Sequence, residues 1–461
     1  MIKAANSVDA KEKPISIPIA GNYIQQLIER HLPSAPIACN HVSSDQTAKA
    51  IYATKSCHPT ELLWKELPYA ALQQEVNKMH ITCCANCFTP LIELEAEWAQ
   101  AEWARVHQIA QMRKISNQNQ IASLQDLRDT ISYFSMHQTK SFSPIEVESS
   151  AIGRLQDACE VFSLAESAVK CPSCEDEIYC SIECQQDAFW DSHGLLCAGS
   201  KQQVSAITQF FAFAKQTNEL FVLAAKILAK ILIGYIKTSN LPNARAVIEQ
   251  FNTPPWWNVA EFEREEHYGK SEEAFRASLE AVLHQAFEYL MVGLMENVAS
   301  FLDSIGSSSP AFTAESVITA CKECLNVDVY AQLVGLFVVK NIRMEIDHPF
   351  QTLQISLMDL QTEQLISSTL EESIQRVQQT LLLVLSETNA ELSDSDSDSM
   401  DILIPNVIGS AFLPIICTMN HNVTPNCTVL FTRSGQASVF VIKNVKQGEE
   451  LSVQYDETDS P

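Results

Sequence analysis

Glycine is scarce, at 12 of 461 residues. So few positions free for tight or left-handed backbone exclude a chain built mainly of hairpins. Periodic apolar patterns between residues 204 and 385 accordingly read as helix rather than sheet. Basic residues are also in deficit: 31 Lys+Arg against 56 Asp+Glu give a net charge of −25. That balance repels a phosphate backbone and attracts a Lys-rich peptide, so direct nucleic-acid binding is not expected. Long apolar runs are missing as well. The longest candidate, Leu220 to Ile236, has 17 residues with Lys226 and Lys230 inside it, too short and too charged to span a bilayer. It reads as a buried helix, with Val204, Ile207, Phe211 and Ala214 as a stripe ahead of it, and no membrane partner is expected. The opening MIKAANSVDAKEKPIS lacks the apolar core of a signal peptide, which points to a reducing, cytoplasmic and/or nuclear setting.

What the chain does contain is length, apolar mass and cysteine. Its 461 residues are enough for two to four domains of usual size, and 46% apolar against 19% charged composition excludes a disordered or collagen-like chain. Ala50 to Thr54 and ELLWKELP (Glu61 to Pro68) read as short extended segments. After Cys87, Ala99, Trp103, Val106 and Ala110 recur at helical spacing. The alternating SDSDSDS of 393 to 399 has nothing to bury and reads as a solvated linker. CTVLFTR, a Ser434-Gly435 turn and ASVFVIKN read as a β-hairpin. In the following EELSVQY, Leu451, Val453 and Tyr455 share one strand face.

The 15 cysteines, in a reducing compartment, point to metal before disulfides. Four pairs stand at ligand spacing: Cys84-x2-Cys87, Cys171-x2-Cys174, Cys180-x3-Cys184 and His193-x3-Cys197. Two donors from one turn can reach the same ion, and a structural zinc takes four, so eight ligands make two Zn2+ sites. Cys83 could replace Cys84. Cys321-x2-Cys324 has no second pair and reads as core or surface, not metal.

With Tyr179 before the third pair and Phe189-Trp190 before the histidine, this order resembles the MYND zinc finger. The resemblance implies interleaved pairs: Cys84, Cys87, Cys180 and Cys184 on one zinc, and Cys171, Cys174, His193 and Cys197 on the other. Near the carboxyl end, NHNVTPN (Asn420 to Asn426) is followed after 21 residues by GEELSVQY. In this order the two stretches resemble the SET domain, whose amino-terminal half Thr47 to Ala70 also resembles. Over roughly residues 47 to 456 the chain is similar to the SET and MYND domain protein-lysine methyltransferases, in the branch with a lengthened finger.

That resemblance implies an α+β fold, a split β-rich SET core with an inserted finger and a large helical region. The implied divisions are an N-terminal segment 1–46, a SET amino-terminal half 47–82, a finger 83–199 with a helical insertion 88–170, a helical insert region 200–385, an acidic linker 386–400 and a SET carboxyl-terminal half 401–461. It implies S-adenosyl-L-methionine as methyl donor, contacted by Thr47, Ala48, Lys49, Asn341, Asn420 and His421, and Tyr455 facing the transferred methyl group. A Lys-containing protein, histone or other, would be the substrate, and proline-rich peptides are a further partner at the finger.

Two departures from the family pattern carry expectations of their own. Ala48 and Ala50 stand where the family usually has glycines, and a methyl group restricts backbone and ligand approach. Val423 stands where most relatives have a cysteine for a third zinc, and no cysteine follows Tyr455, so a third site is not expected. The alternative they support is a catalytically weakened scaffold that binds proline-rich peptides through the finger.

Overall fold

The computed structural model describes residues 23–42, 45–79, 81–91, 168–199, 204–251, 253–261, 271–306, 312–348, 406–432 and 434–455. The helical stripe from Ala99 to Ala110 and the Ser/Asp tract lie outside them. In chain order the elements used below are α1 (Tyr23–His31), β1 (Ile37–Val42), β2 (Asp45–Ala53), β3 (Leu62–Glu66), β4 (Ala70–Gln73), β5 (Val169–Lys170), β6 (Ile178–Tyr179) and α2 (Ile182–Ala188). There follow α3 (Ala206–Thr217), α4 (Leu220–Thr238), α5 (Glu272–Ser304), α6 (Ala314–Ala320), α7 (Val327–Lys340), β7 (Ile342–Ile346), β8 (Val407–Phe412), β9 (Asn420–His421), β10 (Cys427–Phe431), β11 (Ala437–Val441) and β12 (Ser452–Val453). Long helices and several small sheets make this an α+β fold.

The helical half forms because α4 is apolar on nearly every side and can be satisfied only by being surrounded. Leu220, Phe221, Leu223, Ile227, Leu228, Ile231 and Leu232 are all buried, against α3, α5, α6 and α7. At about 2 kcal/mol for each fully buried large aliphatic side chain, this helix anchors the region. Ser205 caps α3 by accepting the Thr208 N–H at 3.1 Å, which leaves Val204 ahead of the helix and 77% exposed. The buried stripe is therefore Ile207, Phe210 and Ala214, with Phe211 at its margin. Among the described residues no helix is long and apolar enough to cross a membrane.

The β-rich half is made mainly of two stretches far apart in sequence, joined by β7 from between them. β4 and β7 flank β8, and β3 pairs with β11, which completes the expected hairpin with β10 around Gly435 at φ 66°. Ala53 donates its N–H to the Glu449 carbonyl and Leu451 donates to Ile51, at 2.9 and 2.8 Å. Cys57 and Val445 exchange both backbone bonds. Residues 45–73 and 407–453 thus form one core, lined by Ile51, Trp64, Ile416, Met419, Val439, Leu451 and Val453. The stretch read as helical to residue 385 contains β7, whose strand joins α7 directly to this core. Phe412, in contact with Tyr69, Phe251 and Phe337, ties the core to the helices.

Candidate active site and metal clusters

The cysteine pairs converge into two groups of four donors, Cys84/Cys87/Cys180/Cys184 and Cys171/Cys174/His193/Cys197, each with its ligand atoms within 4.8 Å of one another. Four donors around a zinc at about 2.3 Å sit about 3.8 Å apart in a tetrahedron. The separations lie near that figure, from 3.2 Å between Cys171 and His193 Nε2 and 3.4 Å between Cys180 and Cys184 to 3.7 Å for Cys87–Cys180 and 3.8 Å for Cys171–Cys197 and for Cys174 to His193 Nε2. Packed this closely, the sulfurs cannot all carry charge without a cation. Hydrogen bonds from Cys180 and Cys84 pull Cys87 well down, while those to Cys84 and Cys87 push Cys180 far up. Cys83 turns away and donates to the Gln73 side-chain carbonyl at 3.1 Å. Cys321 and Cys324 are buried at the end of α6 and belong to neither group.

The segment carrying these donors is pinned to α4 by its lysines. Lys230 bridges Asp191 at 2.5 Å, donates to the Tyr69 carbonyl and lies 4.5 Å from the Tyr69 ring centroid. Lys237 stands over Trp190, and Lys226, half-buried, donates to the Ala71 carbonyl at 2.6 Å. Phe189 and Trp190 pack on Phe301 of α5. The two charges inside the apolar run thus join the helical region to the cysteine-rich segment and β4.

The carboxyl-terminal motif builds the second site. Gly448, at φ 80°, makes a turn that would strain any other residue, and it returns the chain so that β12 lies parallel to β9, Ser452 opposite Asn420 and Val453 opposite His421. Asn426 clamps the crossing: its amide donates to the Glu450 carbonyl at 2.8 Å, and its side-chain oxygen accepts the Ser452 N–H at 2.9 Å. The Asn420 amide donates to Glu450 Oε1 at 2.6 Å. His421 Nδ1 accepts the Tyr455 N–H at 3.0 Å, so its ring proton sits on Nε2, and the two rings stack.

Tyr455 is half-buried, and its hydroxyl donates to the carbonyl of Met419 at 3.0 Å, with that of Ile416 at 3.4 Å. Burial, followed by the neighbouring Cys417 and Glu66, pushes this phenol well above its ordinary range, so it stays protonated at any physiological pH. It can orient but not abstract. Lys340 Nζ lies 5.3 Å from the Tyr455 ring centroid, with its pKa lowered by burial. Asn341, the next residue, ends α7 by donating its N–H to the Phe337 carbonyl at 3.2 Å.

On the other side, β2 packs against the 3-10 turn Ile416–Thr418. Lys49 pairs with His41 in the β1–β2 ladder and donates Nζ to Gln250 Oε1 at 2.6 Å. Ala50, fully buried, pairs with Asn40, and neither Ala48 nor Ala50 has a positive φ. Ala50 sits in regular strand pairing that makes no use of glycine's freedom, whereas Ala48 falls in the register irregularity between the His41–Lys49 and Val42–Asp45 pairs. Lys49, Asn341, Asn420, His421 and Tyr455 therefore stand on segments gathered about one turn, residues 415–419. Sequence reasoning missed Glu66, Glu450, Cys417 and Lys340 there.

A split core closed by a strand that threads back beside an Asn-His pair is the arrangement of a SET domain. The SET domain family matches residues 49–456, and the chain belongs to it. It is also similar to the histone-lysine N-methyltransferase ATXR2 of Arabidopsis thaliana, at 20% identity over 497 aligned residues, covering 99% of this chain and 92% of that protein.

Proposed function

We propose that this chain is an S-adenosyl-L-methionine-dependent protein-lysine N-methyltransferase. The observation that carries the reading is the Tyr455 hydroxyl held by two backbone carbonyls beside the Asn420–His421 strand. Thr47, Ala48, Lys49, Asn341, Asn420 and His421 would hold the cofactor. Their segments offer amide, imidazole and backbone groups, which suit an adenosine and an amino-acid moiety. When bound, the cofactor supplies an electrophilic methyl group on a sulfonium.

Methyl transfer to an amine needs in-line approach, so positioning of the two partners supplies most of the rate. A protonated Tyr455 with nearby carbonyls orients the amine and the methyl through hydrogen bonds, including weak C–H to O contacts. The substrate lysine must arrive neutral. A buried site disfavours its charged form, and the Lys340 ammonium beside Tyr455 acts in the same direction by like-charge repulsion. A Lys-rich protein, a histone among the candidates, suits the net charge of −25.

The two four-donor groups would hold two zinc ions as a finger of MYND type, stabilising the 171–197 segment. Its docking of proline-rich peptides is the second reading, and the built hydroxyl site weighs against a scaffold alone. Tyr455→Phe tests the proposal: transfer of labelled methyl to core histones should fall strongly while zinc content is kept. Wild-type turnover in this variant would overturn the assignment.

A further inference from the structure

The carbonyls that hold Tyr455 belong to a turn, residues 415–419, containing only one short 3-10 element, Ile416–Thr418. Such a turn does not fix its own orientation. Glu66, the last residue of β3, lies beneath it and is 8% exposed. Its two carboxylate oxygens accept one N–H each, Oε1 from Ile415 at 2.8 Å and Oε2 from Ile416 at 3.0 Å. Ile416 therefore faces both ways: its N–H points to Glu66 and its carbonyl to the Tyr455 hydroxyl. A second tether, from Cys417 Sγ to the Lys340 carbonyl at 2.7 Å, fixes the turn against the end of α7.

We propose that Glu66 is a positioning residue for methyl transfer: its carboxylate holds the 415–419 turn so that the Ile416 and Met419 carbonyls keep the Tyr455 hydroxyl in place. This rests on the reading of Tyr455 as the group at the reacting atoms. A carboxylate taken out of water on a strand is costly unless hydrogen-bonded, and here both bonds serve one turn. Bonds to a charged acceptor are the strong ones, and those in series through a peptide group polarise one another. The titratable groups facing Glu66 are the Cys417 thiol, pushed up to about 12 by burial, and the Tyr455 phenol, also pushed up. Both are neutral at physiological pH, and Lys340 stands beyond Cys417. When ionised, Glu66 supplies the acceptor charge at the turn.

A double-mutant cycle on the full-length, zinc-loaded chain tests this, with tritiated S-adenosylmethionine, core histones and calorimetric titration of the cofactor. Glu66→Gln keeps one acceptor and loses the other. Its kcat should fall about tenfold with cofactor affinity and zinc content unchanged, and the same substitution in a Tyr455→Phe background should cost nothing further. An equal fold-loss in both backgrounds, or loss of cofactor affinity in proportion to rate, would show a merely structural role and overturn the inference while leaving the Tyr455 reading intact. Wild-type turnover in Tyr455→Phe would remove that reading and this inference together. If Glu66→Gln does not yield zinc-loaded protein, Glu66→Asp, whose shorter arm can reach only one of the two N–H groups, should give the same non-additive pattern.

Discussion

Ionising Glu66 costs stability, and the cost has a defined pH window. Burial raises its pKa from 4.5 to about 7, opposed by the hydrogen bonds from Ile415 and Ile416. The folded protein thus holds this proton more tightly than the unfolded chain. Between pH 4.5 and about 7 folding is linked to proton uptake, and stability from this group declines as pH rises. The cost is absent below the window and complete above it. A shift of this size, at 1.36 kcal/mol per unit, corresponds to about 3 kcal/mol as an order of magnitude. Glu66→Gln cannot titrate. Urea unfolding of both proteins, followed by tryptophan fluorescence from pH 5 to 8 in buffer containing zinc, gives the difference in stability. Any zinc held by the four-donor groups would be lost from both proteins alike on acidification, so the difference isolates Glu66. The glutamine variant should gain on wild type steadily as pH rises, by about 2–3 kcal/mol over this range. A flat difference would mean that the carboxyl is not buried as described, and a gain toward acid pH would reverse its sign.

Three further outcomes follow from the cysteine groups and the lysines of α4. Cys84→Ser should lower bound zinc from two ions per chain to one, read by metal analysis, whereas Cys83→Ser should retain both, because Cys83 faces Gln73. Lys230→Met, which removes the Asp191 bridge and the ring contact with Tyr69, should lower stability by about 1–3 kcal/mol in thermal unfolding. Lys226→Met gives up one bond to the Ala71 carbonyl but relieves a buried charge whose pKa burial already lowers, so its effect should stay within about 1 kcal/mol.

How much was legible beforehand varied with how local the signal was. Zinc-ligand spacing is set within a turn, so Cys171-x2-Cys174 and His193-x3-Cys197 could be read as pairs, and the β10–β11 hairpin followed from alternation around Ser434-Gly435. The Leu220 helix was visible from composition alone. Val204 was misplaced because the stripe ignored Ser205, whose side chain starts the helix one residue later. β7 was hidden because IRMEI follows an apolar helix with only Asn341 between them, and only pairing with β8 makes it a strand.

Glu66 gave no usable signal. A glutamate in ELLWKELP reads as a solvated strand residue, and nothing local shows that a turn almost 350 positions away will cover it. The same holds for Lys340 beside Tyr455 and for Lys226 and Lys230, whose partners come from the cysteine-rich segment and β4. By itself the sequence determined residue types, ligand spacings, helix and hairpin content and the sign of the charge, because each is fixed by neighbours within a few residues. Tertiary structure alone decided which carbonyls receive the Tyr455 hydroxyl and which carboxylate is buried, while the two groups of four donors it brings together are those the family resemblance implied. Those choices depend on contacts between distant segments, and the energy of a buried polar group is set by what surrounds it rather than by what precedes it in the chain.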